Sequence, residues 1–588
     1  KVDQDRIEIV LKKGKNLLLV KVGNSNANHE LAFFEMIKWE WGFYLKLLDE
    51  NEKPLKNIGV ILPEKIEKPE FNIVSTFFFK KSDEGLNQRF DIEITSPSPE
   101  ALNGEINFTI DQQKYSFKID SIPFGLSRHQ VFIPEINSDK KVKAFLTINN
   151  DKLEKDITLY RQKHYQLHMM MLSHMDIGYT HPQPVVKEIH SFTLDEVVEM
   201  CNEDPDFKWT IETLWQLEQY EQSRSQKQVQ KVIDLIKEGS IAVSPLYSNP
   251  FSGWVSEEEM IRSLSKAKEY EEKYDLKYNA AVYNDVPGQA WILPQVLKNA
   301  EVNFLAEGLN EFFNNYSLQQ NLPKTFIWKG SDGSEVITYL NEAYNEGKSY
   351  GLESRGNLAV QQRMWERLNK LKARGYDYEL VLLNTAFGDN SIVPKDQYNA
   401  MKKWNEEYEY PKFISSNVSI FAEEFSKKYR DSLIVLNGDW TSNWDVYYQG
   451  EPDLMKKQRS VQHNLLSAEK LAALTWLIDK NKNPLTDIVD EAYQSLLSFS
   501  GHGSGLEYGY GSPADNLITM EYREDYIHNA YLKADEILRR SIYRISKPEE
   551  SFEGEGIIVF NTLSWNRNVP VEIQFPFETS PRYEIIDL

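Results

Sequence analysis

The chain has 588 residues, 41% hydrophobic and 27% charged, and a formal net charge of -22 at pH 7. That length is too great for one hydrophobic core, so several domains are expected, and the composition is that of a folded chain. The negative charge, with no Lys/Arg-rich stripe interleaved with aromatics to override it, argues against nucleic acid and acidic membrane surfaces as partners.

Residues 1–163 alternate apolar and polar residues in short runs such as RIEIVLKK, FNIVSTFFFKK, QRFDIEITS and KVKAFLTIN. Such alternation, broken by turn residues, predicts a β-sandwich-like region of one or two domains. From 164 to 430 apolar strands alternate with amphipathic stretches. The strands are LHMMML, FKWTIETL, SIAVSPL, NAAVYND, VNFLAEG, EVITYLN and YELVLLNTA, and the helical stretches include 185–200, 217–237, 257–274 and 358–373. Seven such units predict a seven-stranded β/α barrel, with catalytic loops at the strands' C-terminal ends. Residues 431–550 turn helical, with long segments at 454–477, 485–498 and 520–544; a three-helix bundle completing the active site is the simplest packing. The stretch 551–588 returns to β alternation and is expected to open a C-terminal β domain that continues further. The fold class is therefore multidomain α/β plus β.

The sole cysteine, Cys201, excludes an intrachain disulfide and leaves imidazole and carboxylate groups to build any metal site. No run of about 18 apolar residues predicts a membrane span. The opening KVDQDRIEIV lacks the basic and apolar regions of a signal peptide. A cytoplasmic protein fits this, and so does a bacterial periplasmic or secreted one after leader removal. The oligomeric state, including a homo-oligomer, is left open.

His174 and Asp176, two apart at a strand end, point the same way and can share an ion; a hydrogen-bonded structural pair satisfies the same spacing. Asp285 closes the strand NAAVYND before a Pro/Gly turn, which suits either a carboxylate aimed at a site or a helix N-cap. His502 lies in the glycine-rich SFSGHGSGLEYGYGS, either a close-approach loop or a linker. Two His and two Asp together suit Zn2+. Glu212, in WTIETLW at a predicted strand's C-terminal end, can hydrogen-bond substrate or orient a ligand. Trp444 and Asp445 in TSNWDVYYQGEP can line a sugar site, although core packing explains the tryptophan equally. His181 and His190 read as surface residues, and His164 and His168 have no evident partner.

These motifs resemble glycoside hydrolase family 38, the zinc-dependent α-mannosidases, over about residues 168–565. The family's His-Ser-His-x-Asp-x-Gly-Trp is similar to LSHMDIGY, and its DPFGHSPxxPxIL matches DVPGQAWILPQVL without a gap. The resemblance implies zinc ligands at His174, Asp176, Asp285 and His502, with Asp285 also the nucleophile. It puts Tyr179 under the sugar and makes Trp291 a substrate contact. The chain departs from the family where a Gly-Asp-Asp or Gly-Asp-Gly element is expected: TAFGDNSIVP keeps Asp389 and has Asn390 next to it. An amide cannot serve as acid/base, so Asp389, or Asp445 or Glu507 in its place, is expected to act. QAW replaces the family's HSP, PLYSNPFSGW replaces its Gly-Gly-Trp loop, and 301–326 contains no Arg or His. The implied activity is retaining hydrolysis of α-linked sugars, α-mannosidase-like, with a carbohydrate as the partner. Two other classes are carried beside it: a metal-dependent polysaccharide deacetylase or lyase, and a non-catalytic sugar-binding relative.

Overall fold

The computed structural model describes residues 68–83, 85–98, 100–149, 151–310, 322–353, 356–440, 444, 451–503, 512–546 and 558–572. The chain divides into two compact units, one of residues 1–447 with 500–522, the other of 448–499 with 523–588.

In the first unit, seven antiparallel strands form two sheets. One has the order β1 (Glu70–Ser82), β2 (Gly85–Ser96), β5 (Gly125–Pro134); the other runs β4 (Gln113–Ile122), β3 (Leu102–Ile110), β6 (Lys140–Ile148), β7 (Asp151–Leu159). Period-two alternation sends Phe90, Ile92 and Ile94 of β2 and Ile106, Phe108 and Ile110 of β3 into one shared core. The register of β1 slips between Ser75 and Phe79. Across that irregularity Phe77, Phe78 and Phe79 are all buried, and they belong to the core of the β/α region that follows. The predicted strand in RIEIVLKK lies outside the described residues.

All seven predicted strands of the β/α region are present: β8 (Gln166–Met170), β9 (Trp209–Ile211), β10 (Ile241–Val243), β11 (Ala280–Asn284), β12 (Phe304–Gly308), β14 (Glu335–Asn341) and β15 (Leu380–Asn384). Three more, β13 (Thr325–Lys329), β16 (Lys412–Ser416) and β17 (Val435–Asn437), extend the sheets. The seven are parallel where they pair with one another, β13 pairs antiparallel with β14, and burial on both faces explains their apolar runs. A closed seven-stranded barrel is not formed among the described residues. The ladders instead stand as three sheets, β15-β8-β16, β10-β9 and β11-β12-β14-β13-β17. Isolated bonds take over at the seams. Thr210 N donates to Met171 O (2.8 Å), Val282 N to Ser244 Oγ (3.1 Å) and Leu382 N to Tyr339 Oη (3.1 Å). A hydroxyl that accepts a strand's N–H satisfies the group but ends the ladder there.

The predicted helix 217–237 is two helices, Leu214–Ser223 and Gln226–Lys237, because Ser225 and Gln228 form a capping box between them. Likewise 257–274 is Glu257–Arg262 followed by Ser265–Tyr274. The three long helices are Pro452–Ile478, Thr486–Ser500 and Pro513–Ser546. Within the second unit Leu465, Ala468 and Ala472 of the first of them, Ala492 and Leu496 of the second, and Ala530 and Ala534 of the third are buried. Residues 558–572 carry no strand and are largely exposed. No described helix is long and apolar enough to cross a membrane.

Candidate metal centre and its surroundings

The site is built at the C-terminal ends of β8, β9, β11, β12 and β15. His174, fully buried, follows β8, and its backbone bridges that of Asp389 after β15. Asp285 follows β11 directly, in a left-handed conformation (φ 58°) that is uncommon for a residue with a Cβ. Its N–H donates to Gly308 O at the end of β12 (2.9 Å), and Asn310 Nδ2 donates to its Oδ1. The helix after it begins only at Leu293, so Asp285 is no N-cap. His502 follows the helix Thr486–Ser500, where Gly501 bridges Pro250 in the loop after β10.

These residues converge. His502 Nε2 lies 3.1 Å from Asp176 Oδ1 and 3.6 Å from Asp285 Oδ2. His174 Nε2 lies 3.8 Å from an oxygen of each aspartate. One ligand atom each of His174, Asp176 and His502 fall within 4.8 Å of one another, and Asp285 stands beside the trio. A Cβ on Gly503 would overlap the Asp176 carboxylate, so only glycine lets the His502 loop close over it.

The outer nitrogens of both imidazoles are engaged. His174 Nδ1 is 3.0 Å from Glu212 Oε1, and Glu212 Oε2 also accepts from Met175 N (2.7 Å). His502 Nδ1 is 3.0 Å from Asn249 O. A carboxylate and a carbonyl only accept, so each Nδ1 carries a proton, and the neutral ring that a bound cation would require presents its lone pair at Nε2. Both Nε2 atoms are buried and lack a hydrogen bond of acceptable geometry. Two convergent imidazole lone pairs among carboxylates are what a divalent cation would satisfy, and this donor set fits zinc.

The electrostatics agree. Burial works against ionisation of Asp176, yet His174 and His502 outweigh it and hold the carboxyl below its usual range. Burial likewise opposes a charge on either histidine, and is outweighed. Glu212 and Asp176 push His174 well up; Asp176 and Asp285 push His502 up to about 9. The pocket therefore strongly favours positive charge. Asp389 is pushed up to about 7 by burial and then by the Asp176 charge; its Oδ1 accepts from Tyr344 Oη. The Tyr344 ring lies flat on His174, centroids 4.2 Å apart and planes 17° apart.

Asn390 has a different task from its neighbour. Its Oδ1 accepts from Asp176 N (2.9 Å) and faces His190 Nε2 (2.9 Å). Its Nδ2 donates to Gly178 O and Thr180 Oγ1, both at 2.9 Å. It cross-braces the turn that carries His174 and Asp176. His190 is not the surface residue expected: it is buried, with Nδ1 accepting from Gln216 Nε2 at 2.9 Å. The sequence did carry the signal, because Val186, His190, Leu194 and Val197 make one buried helical stripe. His181 is exposed as expected. His164 and His168 do find partners, in Glu135 (2.8 Å) and Ser416 (3.2 Å). Asn249, Tyr344, Asn310 and Gln216 were missed altogether.

Of the expected sugar contacts, Tyr179 is half-buried in a left-handed conformation just after Gly178. Trp291 is 40% exposed, with its indole N–H donating to Lys329 O (2.8 Å), whereas Trp444 is buried. Asp445 and Glu507 lie outside the described residues.

Residues 164–444 match the family model described as the glycosyl hydrolases family 38 N-terminal domain. An alpha-mannosidase from Enterococcus faecalis superposes with a TM-score of 0.54 at 18% identity, over 66% of this chain and 43% of that one. A glycosyl hydrolase family 38 protein from the same organism gives 0.46 at 18% identity, over 64% and 40%. The first likeness shows a shared fold, and the chain spans less than half the length of that enzyme. No curated protein matches.

Proposed function

From the match of residues 164–444 to the glycosyl hydrolases family 38 N-terminal domain, we propose that the protein is a zinc-dependent retaining glycosidase acting on α-linked sugars, of α-mannosidase type. The observation that carries this reading is the convergence of His174 Nε2, His502 Nε2, Asp176 and Asp285 beside a half-buried Asp389. His174, Asp176, Asp285 and His502 would hold the ion, which when bound supplies a Lewis-acid grip on sugar hydroxyls.

Asp285 attacks the anomeric carbon and forms a glycosyl ester, while Asp389 gives its proton to the departing glycosidic oxygen. Asp389 then takes a proton from water as that water attacks the same carbon, releasing the sugar and regenerating the Asp285 carboxylate. A carboxyl pushed up to about 7 suits both halves of that cycle, since it is neither firmly protonated nor firmly ionised near neutrality. Tyr344 orients Asp389 through its hydroxyl and steadies His174 through its ring. Glu212 fixes the His174 tautomer. The raised carboxyl of Asp389 supports a retaining glycosidase over a metal-dependent deacetylase or lyase, neither of which forms a glycosyl-enzyme.

The test is a panel of aryl α-glycosides assayed with parent protein and with Asp285→Asn. Turnover of the α-mannoside with retained configuration, and loss of activity together with zinc in the variant, are expected. Full activity in Asp285→Asn ends the assignment.

A further inference from the structure

Asn249 sits in the loop after β10, within the PLYSNPFSGW that departs from the family pattern, and its side chain is fully buried. It reaches the support of both imidazoles. From its side chain, Nδ2 donates to Glu212 Oε1 at 3.1 Å, the same carboxylate oxygen that lies 3.0 Å from His174 Nδ1. From its backbone, the carbonyl accepts from His502 N at 3.1 Å and lies 3.0 Å from His502 Nδ1. The adjacent Pro250 bridges Gly501, which seats this loop along the His502 segment.

We propose that Asn249 is a positioning residue that couples the two imidazoles, setting ring orientation and tautomer at His174 through Glu212 and at His502 directly. Its amide steadies the carboxylate that holds one Nδ1–H, and its carbonyl takes the other. The two Nε2 lone pairs are thereby aimed from one rigid residue instead of from two independent loops. This rests on the metal reading above.

The test uses the full chain stripped of metal by chelation. Zinc affinity is measured by competition with a chromophoric chelator, coordination geometry by the visible absorption of the cobalt-loaded protein, and folding by the melting temperature of the metal-free form. Asn249→Ala removes the amide and keeps the carbonyl. Its zinc affinity is expected to fall about 10- to 100-fold with a changed cobalt spectrum and a metal-free melting temperature close to the parent's. Combined with Glu212→Gln it is expected to cost little more than the larger single loss, since both act through one imidazole. Zinc affinity within about twofold of the parent, or a lowered melting temperature with an unchanged cobalt spectrum, overturns the inference. If Asn249→Ala does not fold, Asn249→Ser, which keeps a shorter donor, is judged by the same two readouts. Should the parent itself bind no zinc, the metal reading falls and the inference with it.

Discussion

Replacing Asn390 by Asp separates two accounts of the residue beside Asp389. If Asn390 were simply an acid lost, the substitution would restore it and turnover would rise. The structure points the other way. The introduced carboxylate would keep the two acceptor contacts, to Asp176 N and His190 Nε2, but would turn an oxygen toward Gly178 O, where the Asn390 Nδ2 now donates at 2.9 Å. Thr180 can rotate its hydroxyl and donate in return; a carbonyl cannot. One buried hydrogen bond is lost and two acceptors are opposed, a cost of about 1–3 kcal/mol. A proton on the new carboxyl would relieve the clash, so its folded pKa must lie above the unfolded value of about 3.9. The folded state then binds more protons than the unfolded one, and stability falls as pH rises from about 4 through the raised folded value. Denaturant midpoints of the variant and parent at pH 5 and pH 8 measure this, with aryl glycoside turnover alongside. A gap that widens with pH and lower turnover are expected. An increase of several-fold in kcat with unchanged midpoints would refute the reasoning and make Asn390 a vestigial acid.

Asp389→Asn should lower kcat by about 10²–10⁴ on substrates with poor leaving groups and much less on activated aryl glycosides, a split that a leaving-group series reads directly. Gly503→Ala places a methyl on the Asp176 carboxylate; zinc titration should show affinity reduced at least about tenfold, and near-parent affinity would mean the loop has room to yield. Burial pushes His190 down to about 4, so the folded state binds fewer protons than the unfolded one between about 4 and 6.5. Stability should therefore be present above pH 6.5 and drain away toward pH 4, by up to about 3 kcal/mol from this residue. His190→Gln should show a shallower loss in acid unfolding curves, and an identical slope would place the acid sensitivity elsewhere.

What could be read from sequence was what is local. Apolar runs located all seven strands from LHMMML to YELVLLNTA, because strands buried on both faces cannot hide their composition. The stretch from Asp285 to Leu297 could be placed because its motif is contiguous. What escaped was the partner of each side chain. Asn390 grips the Asp176 turn from 214 residues away and Asn249 meets His502 across 253; no period links such pairs. The helix breaks at Ser225 and Ser263 were missed because polar caps look like ordinary solvated positions inside an amphipathic run. Where the ladders end could not be read either, since whether Tyr339 or a neighbouring strand accepts the Leu382 N–H is decided only by packing.

At its bulge, β1 hands Phe77, Phe78 and Phe79 to the β/α core, with Phe77 stacked on Trp365 at 5.0 Å and Phe78 edge-on to Trp404 at 6.0 Å. Phe79 N also donates to Tyr410 O at 2.7 Å. The border that composition suggests near residue 163 is therefore not a place where the polypeptide can be cut. A chain beginning at 164 would carry every candidate ligand yet present Trp365, Trp404 and Tyr410 to water, and would be expected to aggregate. Chemistry and sandwich are inherited together: three phenylalanines make the amino-terminal sheet part of the foundation on which the ligand-bearing strands rest.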